Sequence, residues 1–296
     1  MTALRAATRG SALARWQTDH VTALLGGHVE AVIVQTEGDR RQDVPIEAIG
    51  GRGVFVKEVQ AAVLDGRADF AVHSAKDLPS SPELQPEGLV IACVPERGDP
   101  RDALVGSTLD GLAAGATVAT GSVRRRVQLA NLRPDLRFTG LRGNIDTRLS
   151  KLGDGIDAVV VAAAALQRLE RPEAATADVL APDVMVPQVA QGALAIECRA
   201  GDERVLEALR AIEHAPSRRA VEAERAFLAE LGGGCDLPVG AHATVHGDGL
   251  VLTGLIASHD GATVLRRTVR GDDPGALGKE LARELLDGAG GRGLLD

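Results

Sequence analysis

The chain of 296 residues carries 33 lysines and arginines against 41 aspartates and glutamates, a formal net charge of −8. A hydrophobic fraction of 45% excludes a disordered chain, and the length favours two or three domains over one. Four Phe, one Trp and no Tyr argue against stacking sites for single-stranded nucleic acid, and the acidic balance argues against a general polyanion binder.

The predicted elements of the first part of the chain alternate between helix and strand. The glycine-rich residues 50–53 open the second helix, and the Pro/Gly/charged residues 95–100 are predicted to form a linker after the last strand. Such alternation favours largely parallel sheets. In chain order we predict a helix at 11–25, a strand at 29–36, a helix at 54–64, and strands at 68–72 and 89–94.

A second block of alternating strands and helices follows the linker, and the chain then changes character. The turns 247–249 and 259–261 separate three alternating runs, which predicts an antiparallel meander. Residues 184–199 are predicted to be a strand that returns the chain to the first block. The other predictions are strands at 116–120, 136–141 and 156–161, helices from Ser122, from Asn144 and to Glu170, a helix at 217–231, meander strands at 239–246, 250–258 and 262–270, and a helix at 274–287.

The three cysteines differ in their surroundings. Cys93 and Cys198 lie in apolar runs typical of buried strands, whereas Cys235 follows three glycines, so that a reactive thiol and a plain turn are equal alternatives there. The odd count without a CxxC pair argues against a disulfide framework, and we expect no metal site. The longest apolar run, residues 158–166, is too short for a membrane span. We therefore expect a cytoplasmic protein with no membrane partner.

Positive charge concentrates between Thr120 and Lys151, where eight basic residues face two acidic ones. Three of them, residues 124–126, occupy the first turn of a helix, where the macrodipole disfavours cations. Arg142 precedes the next helix start, and Arg148 lies one turn further. An anionic ligand would explain the pattern, because helix N–H groups and guanidinium forks at the carboxyl edge of a parallel sheet form a carboxylate or phosphate site.

The alternative for these arginines is a solvated basic face with surface ion pairs, which is the commoner case for a single helix. Repetition at two successive helix starts favours the ligand site. A nucleic-acid site is a weaker alternative, because the basic stretch has one aromatic residue, Phe138, and no binding motif. We therefore expect no nucleic-acid partner.

A second candidate site is the pair Lys76 and Asp77, directly after a predicted strand. A carboxylate beside a cation at a sheet edge fits a catalytic pair and equally a local salt bridge. Arg9 and Ser11 repeat the anion-ready arrangement at the start of the first helix. From these residues alone, a two-lobed anion-binding module without chemistry and an enzyme that forms a Schiff base on Lys76 both stay open.

Short motifs run in order through nearly the whole chain and together identify a resemblance. They are residues 7–9 with Ser11, 50–58, 71–77, 99–102, 124–125, 141–144, 147–149, 191–193, 196–199, 224–226 and 233–240. In this order they resemble the porphobilinogen deaminase family, also called hydroxymethylbilane synthase. The chain departs from the family in details; for example, Ala190 stands where glycine is common, and Arg52 where lysine is.

The resemblance implies a three-domain α/β protein. The first two domains would be similar to the two lobes of type II periplasmic binding proteins, with crossovers near 95–100 and 186–192. The third would be a small α+β domain with a three-stranded antiparallel sheet. The implied domains are 1–95 with 193–214, 96–192, and 215–296.

The resemblance also implies an activity. The family is a transferase of porphyrin (haem) biosynthesis that joins four porphobilinogen molecules head to tail, releases ammonia each time and hydrolyses off the linear tetrapyrrole hydroxymethylbilane. Its primer is a dipyrromethane cofactor held by a thioether on the cysteine that matches Cys235, which decides between the two alternatives for that residue. The expected protein is a monomer that binds porphobilinogen and passes its product to the next enzyme of the pathway.

Each porphobilinogen ring carries an acetate and a propionate, so forked arginines are natural counter-ions. Asp77 is implied as the catalytic carboxylate, which stabilises the cation left when ammonia departs and assists the later deprotonation. Phe55, in a glycine-rich loop, would shield the intermediate from water. The implied carboxylate ligands are Arg9, Ser11, Arg52, Lys76, Ser122, Arg124, Arg125, Arg142, Arg148 and Arg168, and Ser74, Thr120 and Gln191 complete the candidate set.

Overall fold

A computed structural model of the protein describes residues 3–40, 56–233 and 237–295. In that part of the chain the strands are β1 (Leu4–Arg9), β2 (Val29–Val34), β3 (Phe70–Ser74), β4 (Leu89–Cys93), β5 (Asp102–Val105), β6 (Thr117–Ala119), β7 (Arg137–Thr139), β8 (Ala158–Ala162), β9 (Asp178–Leu180), β10 (Leu194–Arg199), β11 (Val239–His246), β12 (Gly249–Ala257) and β13 (Val264–Gly271). The helices are α1 (Ala12–Leu24), α2 (Glu37–Arg40), α3 (Lys57–Leu64), α4 (Val123–Leu132), α5 (Ile145–Leu149), α6 (Ala163–Arg168), α7 (Glu203–Arg210), α8 (Ala215–Glu230) and α9 (Pro274–Arg283).

The chain divides into two compact units, Met1–Gly98 with Ala193–Arg218 and Asp99–Gly192 with Arg219–Asp296. The first unit contains one five-stranded sheet in the order β2-β1-β3-β10-β4. Strand β1 runs parallel to β2 and β3, whereas β10 runs antiparallel to β3 and β4. Neighbouring residues of each strand enter opposite cores: Ala6 and Val72 pack with α7, and Ala7 and Ala71 pack with α3. The sheet is thus buried on both faces.

The second unit contains a five-stranded sheet in the order β7-β6-β8-β5-β9. Strand β6 is parallel to β7 and β8, and β5 is antiparallel to β8 and β9. Leu104 and Val160 pack in the core on one face, and Ala103 and Val159 in the core on the other. The carboxyl ends of three parallel strands therefore meet at one edge of this sheet.

The same unit holds the three-stranded antiparallel sheet β11-β12-β13 with helices α8 and α9. Gly278 of α9 lies against the carbonyl oxygen of Ala223 in α8, where a Cβ atom would not fit, so the glycine permits the close helix approach. Helix α4 packs against this sheet through Val127, Leu255 and other apolar side chains.

The structure confirms the predicted fold class and most of the predicted elements to within a few residues. Strands β1, β5 and β9 and helices α2 and α7 were not predicted. The strand predicted at 184–199 begins only at Leu194, because the preceding segment contains Pro187 and the left-handed Ala190. The prediction of largely parallel sheets is correct for strand direction, since four strands of each five-stranded sheet run the same way. One strand in each sheet, β10 or β5, was not expected to run antiparallel to both of its neighbours. The predicted division into three domains stays a prediction.

No helix within residues 3–40, 56–233 and 237–295 is both long and apolar enough to cross a membrane.

Candidate functional site

The predicted site residues fall into three sets. Arg52, Phe55 and Cys235 lie outside the described residues. The others divide between the two units: Arg9, Ser11, Ser74, Lys76 and Asp77 belong to the first, and Thr120, Ser122, Arg124, Arg125, Arg142, Arg148, Arg168 and Gln191 belong to the second.

In the first unit, the candidates lie at the carboxyl edge of the sheet. Strands β1 and β3 are parallel, so their last residues, Arg9 and Ser74, lie at the same edge. Lys76 and Asp77 lie in a 3₁₀ turn that follows β3 directly. The turn is anchored because the N–H of Ala75 donates a hydrogen bond to the carbonyl of Ala193 at 3.0 Å. This edge therefore presents the lysine and the carboxylate on a short, held turn.

Helix α1 supports the same edge. Its cap, Ser11, accepts a hydrogen bond from the N–H of Ala14 at 3.3 Å. Gln17, buried in the same helix, donates from Nε2 to Oγ of Ser74 at 2.8 Å. Gln17 was not predicted as a site residue. Its place one turn before Val21 in the predicted helix was a signal that it lies on the same face. Gln17 therefore holds α1 against the end of β3, which the turn with Lys76 and Asp77 follows directly.

The carboxylate of Asp77 is half-buried and accepts no hydrogen bond from the described residues. A carboxylate with open lone pairs can accept from an N–H donor or stabilise a nearby positive charge. This arrangement fits the role that the resemblance implies for Asp77.

In the second unit, the candidates follow the parallel strands β6, β7 and β8. Ser122 caps α4 by accepting from the N–H of Arg125 at 3.4 Å, and Oγ1 of Thr120 accepts from the N–H of Ser122 at 3.2 Å. Asn144 caps α5 by accepting from the N–H of Thr147 at 2.9 Å. Both predicted helix starts are therefore present at the predicted edge of the sheet.

Arg124 and Arg125 point into the protein and share one carboxylate, Asp102. Arg124 donates from Nη1 to Asp102 Oδ2 at 2.7 Å and from Nη2 to Oδ1 at 3.2 Å. Arg125 donates from Nε to Oδ1 at 2.9 Å, and its Nη2 lies 2.8 Å from the same oxygen. Asp102 has no exposed surface, and the two arginines are 3% and 5% exposed. No role was predicted for Asp102, although a carboxylate directly before the apolar residues 103–105 was a signal in the sequence.

The charges of this cluster shift the pKa values of Asp102 and Arg125. Burial acts to raise the pKa of Asp102, but the guanidinium groups of Arg124 and Arg125 outweigh it, and the pKa lies below its ordinary value. Burial lowers the pKa of Arg125; Asp102 opposes this, while Arg124 and Arg148 add to it. The effect of Arg148 shows that its charge lies near Arg125. The cluster therefore holds more positive than negative charge.

Gln191 joins the cluster to two segments predicted as crossovers. It is fully buried and donates from Nε2 to the carbonyl of Pro100 at 2.8 Å and to Asp102 Oδ1 at 3.0 Å. Its Oε1 accepts from Arg125 Nη2 at 3.4 Å. The residue before it, Ala190, has a φ of 59°, and its N–H donates to the buried Glu224 at 2.6 Å. The left-handed backbone explains why glycine suits this position.

The other arginines of this edge are more accessible. Arg142 is exposed, and the half-buried Arg148 donates from Nε to the carbonyl of Gly143 at 2.8 Å. Arg168 donates from Nη2 to the carbonyl of Gly192 at 2.6 Å, and burial lowers its pKa to about 10. With a pKa of about 10, Arg168 stays protonated at neutral pH, and the forked guanidinium groups of all three arginines suit a carboxylate.

The donor set of the second unit fits a ligand with several carboxylates. Forked guanidinium groups, the Ser122 hydroxyl and the N–H groups at two helix starts all donate and suit anionic oxygens. Among the described residues, Nε of the buried Arg124 has no hydrogen-bond partner. The implied dipyrromethane, with two carboxylates on each ring, matches this chemistry.

Comparisons with known proteins agree over nearly the whole chain. A family model described as "Porphobilinogen deaminase, dipyromethane cofactor binding domain" matches residues 4–207, and a second, "Porphobilinogen deaminase, C-terminal domain", matches residues 218–287. A porphobilinogen deaminase of Nitratidesulfovibrio vulgaris is 49% identical, over 96% of this chain and 94% of that protein. That of Syntrophus aciditrophicus is 48% identical over 99% and 98%, and that of Roseiflexus castenholzii 49% identical over 97% of each.

Proposed function

The chain belongs to the porphobilinogen deaminase family, and on that premise we propose roles for its individual residues. The enzyme is a transferase of tetrapyrrole biosynthesis that polymerises porphobilinogen, and it carries the dipyrromethane cofactor-binding domain. Family membership sets aside the two alternatives, the anion-binding module and the Schiff-base enzyme. Porphobilinogen is the substrate that we assign to the site.

The cofactor is attached through the thiol of Cys235. The thiolate is the reactive form of cysteine, and the two other cysteines are poor sources of it. Burial, followed by the charge of Glu213, raises the pKa of Cys93 far above its ordinary value, and burial raises the pKa of Cys198 to about 11. Both are buried in strands. These two observations support Cys235 as the attachment residue.

The arginines and hydroxyls bind the acetate and propionate groups. When bound, the dipyrromethane supplies the primer on which the chain of rings is built. Arg142, Arg148 and Arg168 have the accessibility to donate to carboxylates, and the helix starts at Ser122 and Asn144 add N–H groups. Growth by two carboxylates per ring suits a site with surplus positive charge. Arg9, Ser11, Arg52 and Lys76 make the same kind of contact.

Asp77 acts on the reacting ring. The observation that carries this role is its half-buried carboxylate, to which no described residue donates, on the turn after β3. The carboxylate stabilises the positive charge that develops on the substrate as ammonia leaves, and it then accepts a proton. Phe55 shields this step from water.

The mass of the intact protein tests the attachment. We expect wild-type protein to exceed its sequence mass by one dipyrromethane, and Cys235→Ser to have the unmodified mass. Cys198→Ala is the matched control and should keep the addition. An unmodified wild type that still converts porphobilinogen would contradict the cofactor assignment.

A second measurement tests Asp77. Asp77→Ala should keep the covalent cofactor while ammonia release per loaded enzyme falls by about a hundredfold or more, within the range that one general acid–base group contributes. Asp77→Asn tests the charge at nearly constant shape. Full turnover in Asp77→Ala would remove the residue from the mechanism.

The assembly and the compartment complete the proposal. The enzyme works as a monomer in the cytoplasm and passes its product to the next enzyme of the pathway. The described cysteines, Cys93 and Cys198, are unpaired, as suits a reducing compartment. The two family models support a separate C-terminal domain, since the first ends at residue 207 and the second begins at 218.

A further inference from the structure

Asp102 contacts two of the cations at the start of α4 from within the protein. The cations of residues 124–126 lie in the first turn of this helix, where the macrodipole disfavours them. The structure shows a carboxylate of the protein itself against two of these cations, Arg124 and Arg125, at 2.7 to 3.2 Å. The protein therefore supplies one of the anionic groups that the basic sequence pattern predicts, the carboxylate of Asp102.

The contacts of Asp102 set the orientation of both guanidinium groups. Besides Asp102, Arg124 donates from Nη1 to the carbonyl of Val186 at 2.8 Å, and Arg125 donates from Nη1 to the carbonyl of Val160 at 3.0 Å. Each guanidinium plane is thus held at several atoms. A group held in this way loses little conformational freedom when it binds a ligand, which favours binding.

The charge balance limits what the arginine pair can still bind. Two buried guanidinium groups face one buried carboxylate, so the three side chains carry a net charge of +1. A buried charge without a partner is strongly disfavoured. With Asp102 in place, the pair can neutralise one ligand carboxylate and not two.

Gln191 extends the same contact to the backbone. Its amide donates to Asp102 Oδ1 and to the carbonyl of Pro100, and it accepts from Arg125. A change at Asp102 would therefore disturb Arg125 and the segment around Ala190 together. Arg125 is itself a candidate carboxylate ligand, and the carbonyl of Gly192 in that segment accepts a hydrogen bond from the candidate ligand Arg168 at 2.6 Å.

We propose that Asp102 is a positioning residue of the reaction: it contacts neither substrate nor cofactor, but holds Arg125 and Arg124 in the orientation in which the pair accepts one ligand carboxylate. This inference rests on the proposed function. It concerns Arg124 and Arg125 alone, because these are the two arginines that Asp102 contacts among the described residues.

Asp102→Asn tests the proposal, with Asp69→Asn as the matched control. Asp69 is also largely buried and contacts arginines, Arg5 at 3.2 Å and Arg204 at 3.3 Å, but it lies before β3, at the opposite end of that strand from Asp77. Three quantities are measured for each variant: the melting temperature, the fraction of chains with covalent cofactor by intact mass, and kcat/KM per loaded enzyme.

We expect Asp102→Asn to lower the product of loaded fraction and kcat/KM by about tenfold or more, the usual loss for an orienting partner. Asp69→Asn should change this product by less than about twofold. Asp102→Glu keeps the charge but moves the oxygens, so the melting temperature should stay nearer to wild type while the same activity is lost. A purely structural role would change the melting temperature but leave both the loaded fraction of the folded protein and kcat/KM of the loaded enzyme unchanged.

Several results would overturn the inference. A folded Asp102→Asn or Asp102→Glu with wild-type loading and kcat/KM would remove the positioning role. Failure of both variants to fold would make Asp102 a structural residue only. An unmodified wild type that releases no ammonia would overturn the proposed function and this inference with it, whereas an active wild type beside wild-type-like variants would overturn this inference alone.

Discussion

The starts of helices α4 and α5 both carry arginines, yet they differ in what surrounds those arginines. At α4, Arg124 and Arg125 are buried against Asp102. At α5, Arg142 is exposed, Arg148 is half-buried, and the acidic residue of the first turn, Asp146, binds Arg171 at 2.8 Å. The same sequence pattern therefore yields one buried, internally balanced pair at α4 and one more exposed pair at α5. The first pair is held within the core, whereas the second lies nearer the surface.

Substitution of Arg124 should give the largest effect on stability. Arg124→Leu removes a bidentate partner of the buried Asp102, and breaking a buried ion pair costs about 3–5 kcal/mol. We expect a loss of about 3 kcal/mol, the lower end, because Arg125 remains. Urea-induced unfolding measures it, and Arg142→Leu is the exposed counterpart that should unfold close to wild type. Equal losses in the two variants would erase the difference between the helix starts.

Substitution at α5 should affect ligand binding more than stability. Arg142→Leu and Arg148→Leu each remove charge-assisted hydrogen bonds to a carboxylate, worth about 1.5–3 kcal/mol, so kcat/KM for porphobilinogen should fall by tenfold or more. Arg137→Leu, an exposed arginine on β7, is the control. Unchanged kinetics in both α5 variants would return these arginines to a solvated surface role.

The pH dependence of stability should distinguish the internal carboxylate. The pKa of Asp102 is lowered in the folded protein from an ordinary value of 3.8, so its stabilisation is fully present above about pH 5 and is lost as the pH falls through the folded pKa. The difference in unfolding free energy between wild type and Asp102→Asn should be constant at higher pH and shrink below about pH 4. A difference that grows on acidification would contradict the lowered pKa.

The two helix caps should give the smallest effects. Ser122→Ala and Asn144→Ala each remove a cap, which costs about 1 kcal/mol. The cap at Asn144 should cost more, because its oxygen accepts at 2.9 Å from the N–H of Thr147 and at 3.1 Å from its hydroxyl, whereas Ser122 accepts at 3.4 Å. Thermal unfolding of the two variants side by side measures which cap contributes more to stability. A larger loss for Ser122→Ala would show that these hydrogen-bond distances do not determine the cost.

Local signals explain which elements could be predicted from the sequence. Three residues predicted the start of a helix, and each caps one in the structure: Ser11, Ser122 and Asn144. Strands β1 and β5 gave no such signal: β1 contains two arginines and no β-branched residue except Thr8, and β5 has four residues. Both exist because neighbouring strands pair with them on two sides, which is information from distant parts of the chain.

The candidate site shows the same division. Lys76 and Asp77 were predicted directly after a buried strand, and they lie there. The direction of Arg124 and Arg125 could not be predicted, because it depends on where β5 places Asp102 and where Gln191 returns. Sequence spacing places a residue at a sheet edge, but the partner that turns its side chain inward comes from another strand.

The strand order of the first sheet affects the order in which the two sheets can form during synthesis. Strand β10 lies between β3 and β4, so this sheet lacks an inner strand until residue 199 has been synthesised. The strands of the second sheet, β5 to β9, are all complete by residue 180. The second sheet can therefore close during synthesis before the first one does.

Until that point, β3 has one unpaired edge and β4 has no partner strand in the nascent chain. Open edges bind other strands readily, and a delayed central strand leaves them exposed for longer. A chain ending at residue 192 lacks the strand that pairs both edges. Because β10 is made late, the inner strand edges of the first sheet are covered later during synthesis than those of the second sheet.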